Sequence, residues 1–418
     1  MFKVLKTNRD LRLLFIAQNL SFMGDWFTFV ALAGLVQDLT GSKFLVSLLL
    51  VAFSLPSFLA SPIGGPVADR YDRRKVLIVV SILQAIAAAS FLLIGDSRIW
   101  IAFVAQGSIA ALAAFVRPAL EAAIPNLAKN PDELRQANAI FGSSWGVMLA
   151  VGAGIGGVFS QAFGRNAAFI ADVVTFIVAA ILIALVTRPM QEARTKIQTR
   201  RIHPISDMGE ALHLAKSDPA IMSLLMSKMT FAVGAGVVSQ LAVFAADSFN
   251  SGDAGRGLML GLRGVGSALG PLIAARFVKN DLSRVILVCG ISGLGFASGY
   301  LAAAASPVLI VAAIFVCLAH LGGGAQWTLS TYGLQVRCPD EMRGRVLAGD
   351  FALITLSLGL SSLVAGVVSE SIGARGTIAV FALIAICSSI IYLLATRNVR
   401  ANLKISATNN ATINLPEK

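Results

Sequence analysis

Twelve apolar stretches of roughly 20 residues follow one another along this chain, divided by short polar segments, each near the length a helix needs to cross about 30 Å of hydrocarbon. The pattern predicts spans over residues 12–36, 44–68, 76–95, 99–120, 137–161 and 166–187, then 219–244, 255–278, 285–304, 307–332, 346–369 and 375–396. The expected fold is an all-α membrane protein with twelve transmembrane helices. Residues 1–187 and 219–396 are expected to form two six-helix bundles, joined by a polar linker over 188–218. A polar tail, 397–418, is expected to be disordered.

The two halves also match each other. Pro131-Asp132-Glu133-Leu134-Arg135 recurs as Pro339-Asp340-Glu341-Met342-Arg343, Gly156-Gly157-Val158-Phe159-Ser160 as Ala365-Gly366-Val367-Val368-Ser369, and Lys75-Val76-Leu77-Ile78-Val79 as Arg284-Val285-Ile286-Leu287-Val288. Three collinear matches about 209 residues apart imply parallel repeats, and roughly 35 residues per span and loop place six crossings in that offset. Six crossings in each half give twelve.

Composition agrees with a bilayer as the solvent. Hydrophobic residues make up 56% of the 418 and charged residues 13%, with 38 glycines and a mean hydropathy of +0.78. With the N-terminus inside, about 26 of the 34 Lys and Arg lie in inside segments, about five outside and three within spans. The expected location is the cell inner membrane, with both termini cytoplasmic. The net charge of +12 is spread over many short loops, which argues against a nucleic-acid surface. Asp25 within the first apolar run, and the length of that run, point to an uncleaved first span rather than a signal peptide. Cys289, Cys317, Cys338 and Cys387 show no C-x-x-C spacing and are expected to pack as small apolar residues. His203 and His213 have no ligand-like partners, so neither a metal nor a cofactor is expected.

Charges inside the spans are the candidate chemistry, because each costs about 2.5–3.5 kcal/mol at mid-span unless a partner or an aqueous cavity receives it. Asp25, near the middle of span 1, has no basic neighbour one turn away, and its equivalent in the second half is Gly234. A carboxylate there can alternate between protonated and charged forms as substrate comes and goes, or it can pair with Lys228 of span 7 or Arg263 of span 8. Either basic residue can instead bind an anionic substrate. Arg117 and Glu121, four apart, predict a local helix pair. Asp172 and Asp350 fall near span ends, where water or capping can satisfy them, and His320 adjoins three glycines that can mark a bend. Trp26, Phe27, Trp145 and Trp327 can stack on a large amphipathic substrate or pack against neighbours.

After span 2 comes Gly64-Gly65-Pro66-Val67-Ala68-Asp69-Arg70-Tyr71-Asp72-Arg73-Arg74-Lys75. It resembles the loop 2–3 signature of the major facilitator superfamily at Gly65, Asp69, Arg70, Arg73 and Arg74, with Asp72 where that pattern has glycine. The resemblance implies that Asp69 latches the two halves on the cytoplasmic side. The corresponding aspartate is missing from the second half, so any latch is asymmetric. Phe103-Val104-Ala105-Gln106-Gly107 is similar to the Arg-x-x-Gln-Gly motif, but Phe103 stands in place of the arginine tied to proton transfer. Gly152-Ala153-Gly154-Ile155-Gly156-Gly157 resembles the antiporter glycine motif with Ala153 for proline. Gly24-Asp25-Trp26, Leu262-Arg263-Gly264, Gln326-Trp327 and Arg343-Gly344-Arg345-Val346 are similar to a bacterial efflux branch of enterobactin exporters and macrolide or multidrug pumps.

That resemblance implies a secondary active transporter exporting a bulky amphipathic small molecule, a drug, macrolide or siderophore, by proton antiport and alternating access. Its partners would be the small-molecule substrate, the proton as coupling ion and the lipid bilayer. The proton-coupling or substrate-binding candidates are Asp25, Lys228, Arg263, Trp26 and Trp327. A lipid or lysolipid flippase is the alternative, followed by an importer or a non-transporting membrane receptor. An enzyme is not expected, since the chain contains no H-E-x-x-H, G-x-S-x-G or Walker motif.

Overall fold

The computed structural model describes residues 3–191, 204–278 and 281–413. They form fifteen α-helices and no strand among the described residues. In order these are α1 Lys3–Thr7, α2 Arg9–Thr40, α3 Lys43–Arg70, α4 Arg73–Ala89, α5 Trp100–Leu127, α6 Pro131–Phe163, α7 Arg165–Ala184 and α8 Pro204–Ser217. Then come α9 Pro219–Gly234, α10 Val237–Phe249, α11 Asp253–Val278, α12 Leu282–Ala305, α13 Leu309–Arg337, α14 Asp340–Ala395 and α15 Arg397–Ile413. Residues 192–203 of the expected linker and 414–418 of the tail, with His203 among them, lie outside the described residues. So do the side chains of Gly65, Asp69 and Arg70, whose backbone continues α3.

Eleven helices among the described residues are long and apolar enough to cross a membrane, with mean hydropathy from 1.3 to 2.7. The count differs from twelve because α14 runs for 56 residues. Gly373, at φ 74 and ψ 167, interrupts it. The expected span 219–244 is also not one straight rod: α9 ends at Gly234 and α10 begins at Val237. Ser361 fills the break, its Oγ accepting from Gly236 N at 2.9 Å and donating to Val233 O at 2.8 Å. This meets backbone groups that a broken helix would leave bare in hydrocarbon.

The chain divides into two compact units, the first made of residues 1–201, 238–265 and 362–377, the second of 202–237, 266–361 and 378–418. In unit 1, α2 packs on α6 and α7, α3 on α5, and α4 on α5 and α7. Leu11, Leu14, Leu77, Leu120, Ile124, Phe141 and Ile183 close its core. Ile82, Ile86, Ile177 and Ile181 face outward, the surface that suits lipid. Since lipid tails are as apolar as leucine, close van der Waals contact decides which helices associate. The glycine run of α6 supplies it: a β-carbon on Gly257 of α11 would sit 2.5 Å from Ala153 O and 2.8 Å from Gly157 Cα.

Asn8 joins three elements of unit 1. Its Oδ1 caps α2 by accepting from Leu11 N, while Nδ2 donates to Leu127 O and to Glu133 Oε2, each at 2.9 Å. In unit 2, α13 packs on α9 and α12, around Ile221, Leu224, Ile286, Leu329 and Tyr392. The expected disordered tail is helical through Ile413. Val399 and Leu403 pack on the core, and Ser283 Oγ donates to Arg400 O at 3.0 Å, so tertiary contact outweighs the polar composition.

Candidate functional site

Asp25 and Asp172, two carboxylates that fall within the spans expected from sequence, both belong to unit 1. Asp172 of α7 is fully buried, accepting from Thr28 Oγ1 at 2.6 Å and Thr175 Oγ1 at 3.3 Å. The sequence places it near a span end open to water. The structure instead satisfies it with threonine hydroxyls, one from α2 and one from its own helix. Asp25 of α2 lies within electrostatic reach of Asp172, and among the described residues no hydrogen bond or ion pair reaches its carboxylate. Gly24 makes this proximity possible, because any side chain there would overlap Asp172 and Thr175. Trp26 is half-buried, with its ring 6.2 Å from Trp145 of α6 and 5.7 Å from Phe29.

Unit 2 holds an ion pair. Lys228 of α9 is 2% exposed and meets the Asp350 carboxylate of α14, itself 6% exposed. Lys228 Nζ also donates to Thr331 Oγ1 at 2.8 Å and sits 5.1 Å from the centre of the Trp327 ring. Beside it Gln326 Nε2 donates to Ser227 O at 2.5 Å and Thr230 Oγ1 at 2.8 Å. Of the two counter-charges weighed for Asp25, Lys228 is thus engaged by Asp350, and Arg263 is half-buried on α11. Gly234, the counterpart of Asp25, packs with a would-be β-carbon 2.7 Å from Ala385 Cβ, leaving no space for a carboxylate. His320 is buried, 2.8 Å from Tyr300 Oη and 3.3 Å from Ser267 Oγ.

A second charged cluster, at the end of α2 remote from the N-terminus, is absent from the sequence-derived candidates. Asp253 accepts from Arg165 Nε at 3.0 Å, Arg256 Nη1 at 2.7 Å and Ser160 Oγ at 2.7 Å. Asp38 meets Arg165 at 2.7 Å and Arg256 at 3.6 Å. Nearby, Asp247 is held by Lys43 at 3.1 Å and Gln37 at 2.6 Å, and Glu370 accepts from Ser42 Oγ and Phe44 N. The only sequence signal was opposite charges at the ends of several spans.

At the other end of unit 1, Asp72 caps α4 by accepting from Lys75 N at 2.9 Å. Arg73 donates to Ala122 O at 2.8 Å and Met190 O at 3.1 Å, and Arg74 to Arg188 O at 2.8 Å. These arginines tie α4 to carbonyls near the ends of α5 and α7. Arg117 and Glu121 form the local pair their spacing predicts, exposed and 2.9 Å apart.

The chain is similar in sequence and fold to known transporters over most of its length. The enterobactin exporter EntS of Citrobacter koseri is 26% identical over 409 residues, which span 90% of this chain and 91% of that protein. The staphyloferrin A transporter of Staphylococcus aureus is 24% identical over 413 residues, 94% of this chain and 98% of the relative. In fold, the chain resembles a bacterial homologue of the human lysosomal transporter Spinster in an inward-facing, unoccupied conformation, with a TM-score of 0.73 at 17% identity over 95% of this chain and 98% of that one. These relatives are transporters, not enzymes, and this chain is a multi-pass membrane protein of the same kind. The transmembrane secretion effector family matches residues 6–416, nearly the whole length, and the chain belongs to that family within the major facilitator superfamily.

Proposed function

We propose that this protein exports an amphipathic small molecule of the drug, macrolide or siderophore kind by proton antiport through alternating access. The observation that carries the reading is the Asp25–Asp172 neighbourhood, two carboxylates inside one helical unit without a basic partner for Asp25. Like charges near each other inside an apolar unit repel, and a proton taken up by either carboxylate relieves the repulsion. Moving that proton down its gradient releases about 2.3 kcal/mol per 100 mV, enough to bias a carrier roughly fiftyfold. The relatives named as exporters support the direction.

Twelve crossings in two bundles, 1–187 and 219–396, form the proposed frame, with both termini cytoplasmic. The 56 residues of α14 would extend about 84 Å as one rod, more than twice the hydrocarbon thickness, so the break at Gly373 is read as the turn between two crossings. Trp26 and Trp327 are proposed to face cargo and Arg263 to serve substrate or coupling. The loop of Gly65, Asp69, Arg70, Arg73 and Arg74 is proposed to steady the cytoplasmic gate.

The test uses everted vesicles with an acidified lumen and a fluorescent pH reporter, challenged in turn with macrolides, lipophilic cations and siderophores. Collapse of the gradient by one compound, dependent on the protein and abolished by Asp25→Asn, is the expected result. Substrate movement that needs no proton gradient would instead support the flippase reading.

A further inference from the structure

Three acceptors from two helices converge on one ammonium group in unit 2. The carboxylate of Asp350, the hydroxyl of Thr331 and the face of Trp327 surround Lys228 Nζ, and a lysine has three N–H donors to spend on them. This is the chemistry of an organic-cation receptor: a carboxylate for charge, a hydroxyl oxygen to accept a hydrogen bond, its own proton donated to Trp327 O, and an indole face for the cation. An anion site gathers several donors, whereas here the cation among the described contacts is the lysine itself. Trp327 is 38% exposed and Thr331 half-buried, so the cage is open on that side while Lys228 closes it from α9.

We infer that Asp350, Thr331 and Trp327 form a binding site for an organic cation, that Lys228 is a tethered occupant of this site, and that cargo enters by displacing it. The inference rests on the proton-coupled export reading and gives it a cargo class. A displaced lysine loses its counter-charge inside an apolar bundle, where an unpaired ammonium is costly. It therefore releases one proton to water and becomes a neutral amine. Charge balances: Lys228 cation with Asp350 anion is replaced by cargo cation with Asp350 anion, one proton leaving for each cation bound. Among the described residues, the other titratable side chains interacting here are Cys289 of α12 and, next to Cys289, Tyr392 of α14. From α13, Thr331 and Trp327 contact Lys228, and Gln326 lies beside it with its backbone carbonyl accepting from Cys289 Sγ. Cargo and proton then exclude each other at one carboxylate, which is the requirement for antiport. Because Lys228 lies on α9 and its acceptors on α13 and α14, the exchange also unfastens α9 from both.

The test is ethidium binding to the full-length detergent-purified protein, read by fluorescence in weakly buffered solution with a pH indicator. Ethidium is a permanent cation, so any proton released comes from the protein. Wild type is expected to release one proton per ethidium, with affinity tightening about tenfold per unit rise in pH while the lysine is protonated. Lys228→Met removes the tethered occupant and leaves Asp350 to hold the exchanged proton, so above the pH at which Asp350 ionises this variant should bind ethidium at least as tightly as wild type. Lys228→Arg, whose guanidinium holds its proton, should keep the cage closed and bind at least tenfold more weakly. The wild-type stoichiometry and the arginine variant decide the matter even if the methionine variant does not fold. Absence of ethidium binding, binding of benzoate at Trp327 in its place, or wild-type affinity in Lys228→Arg overturns the cage. If vesicle coupling through Asp25 survives any of these results, the export reading stands without it.

Discussion

Arg165 divides its guanidinium between two carboxylates, donating Nε to Asp253 at 3.0 Å and Nη2 to Asp38 at 2.7 Å. Asp253 is 5% exposed and also receives Arg256, itself 4% exposed, so one carboxylate bridges two arginines drawn from α7 and α11. Removing a partner from a buried pair leaves an unmatched charge, a loss of about 3–5 kcal/mol when nothing replaces it. Asp38 remains nearby and softens this. Asp253→Asn is expected to cost about 1–3 kcal/mol, seen as a lower melting temperature in detergent. Asp38→Asn, with its side chain 56% exposed, should cost less than half as much. Equal losses at the two positions would mean that burial does not govern this cluster.

The contact between α6 and α11 depends on the absence of side chains. A β-carbon on Gly257 would meet Ala153 O at 2.5 Å and Gly157 at 2.8 Å, both backbone and unable to move away. Gly257→Val is therefore expected to destabilise by about 1–3 kcal/mol or more and to reduce folded yield. Gly154→Ala, one turn from this contact with open space before it, should leave yield and melting temperature unchanged. Size-exclusion recovery of the two variants compares them directly.

Glu133 provides a pH dependence outside the spans. Its slight burial acts to raise its titration, but hydrogen bonds from Asn8 and from Lys129 N, with the charges of Lys129 and Arg188, outweigh this and hold it below the ordinary glutamate value. A carboxyl depressed by folding adds stability that is fully present above its unfolded value, about 4.3, and lost as pH falls through the lower folded value. Melting temperature should thus fall on acidification below that value. Glu133→Gln should flatten this part of the curve relative to wild type. An unchanged slope would show that other carboxyls dominate acid sensitivity.

The helical membrane fold was legible because span length and hydropathy depend on local composition, and the glycine run of α6 announced a close approach. What escaped was partnership. Lys228 was visible as a charge in a span, but its pairing with Asp350, 122 positions away, depends on how α9 meets α14. Asp350 and Asp172 looked like span-end residues since sequence position gives depth only roughly. The lysine and the threonine hydroxyls that receive them come largely from other helices. The Asp38, Arg165, Asp253 and Arg256 cluster was hidden for the same reason: each residue alone is an ordinary charge at the end of a span. The break after Gly234 was missed because hydropathy continues through it, and the side chain that fills it, Ser361, lies on another helix.

Two glycines with positive φ make contrasting demands. Gly41 ends α2 at φ 64 and ψ −4, the left-handed region that asparagine also enters, with its N–H bonded to Gln37 O. Gly373 interrupts α14 at φ 74 and ψ 167, a combination open to essentially no residue but glycine. Neither has a close neighbour, the nearest to Gly373 being Lys43 Nζ at 3.9 Å, so a substitution at either site tests backbone conformation rather than packing. Gly41→Asn is expected to be tolerated and Gly41→Ala to cost about 1 kcal/mol. At Gly373, alanine and asparagine should both cost about 1–3 kcal/mol, with asparagine giving no relief. Melting curves of the four variants separate the cases. Asparagine matching wild type at Gly373 would mean that α14 can pass this point in another conformation, and the chain would not need glycine to turn there.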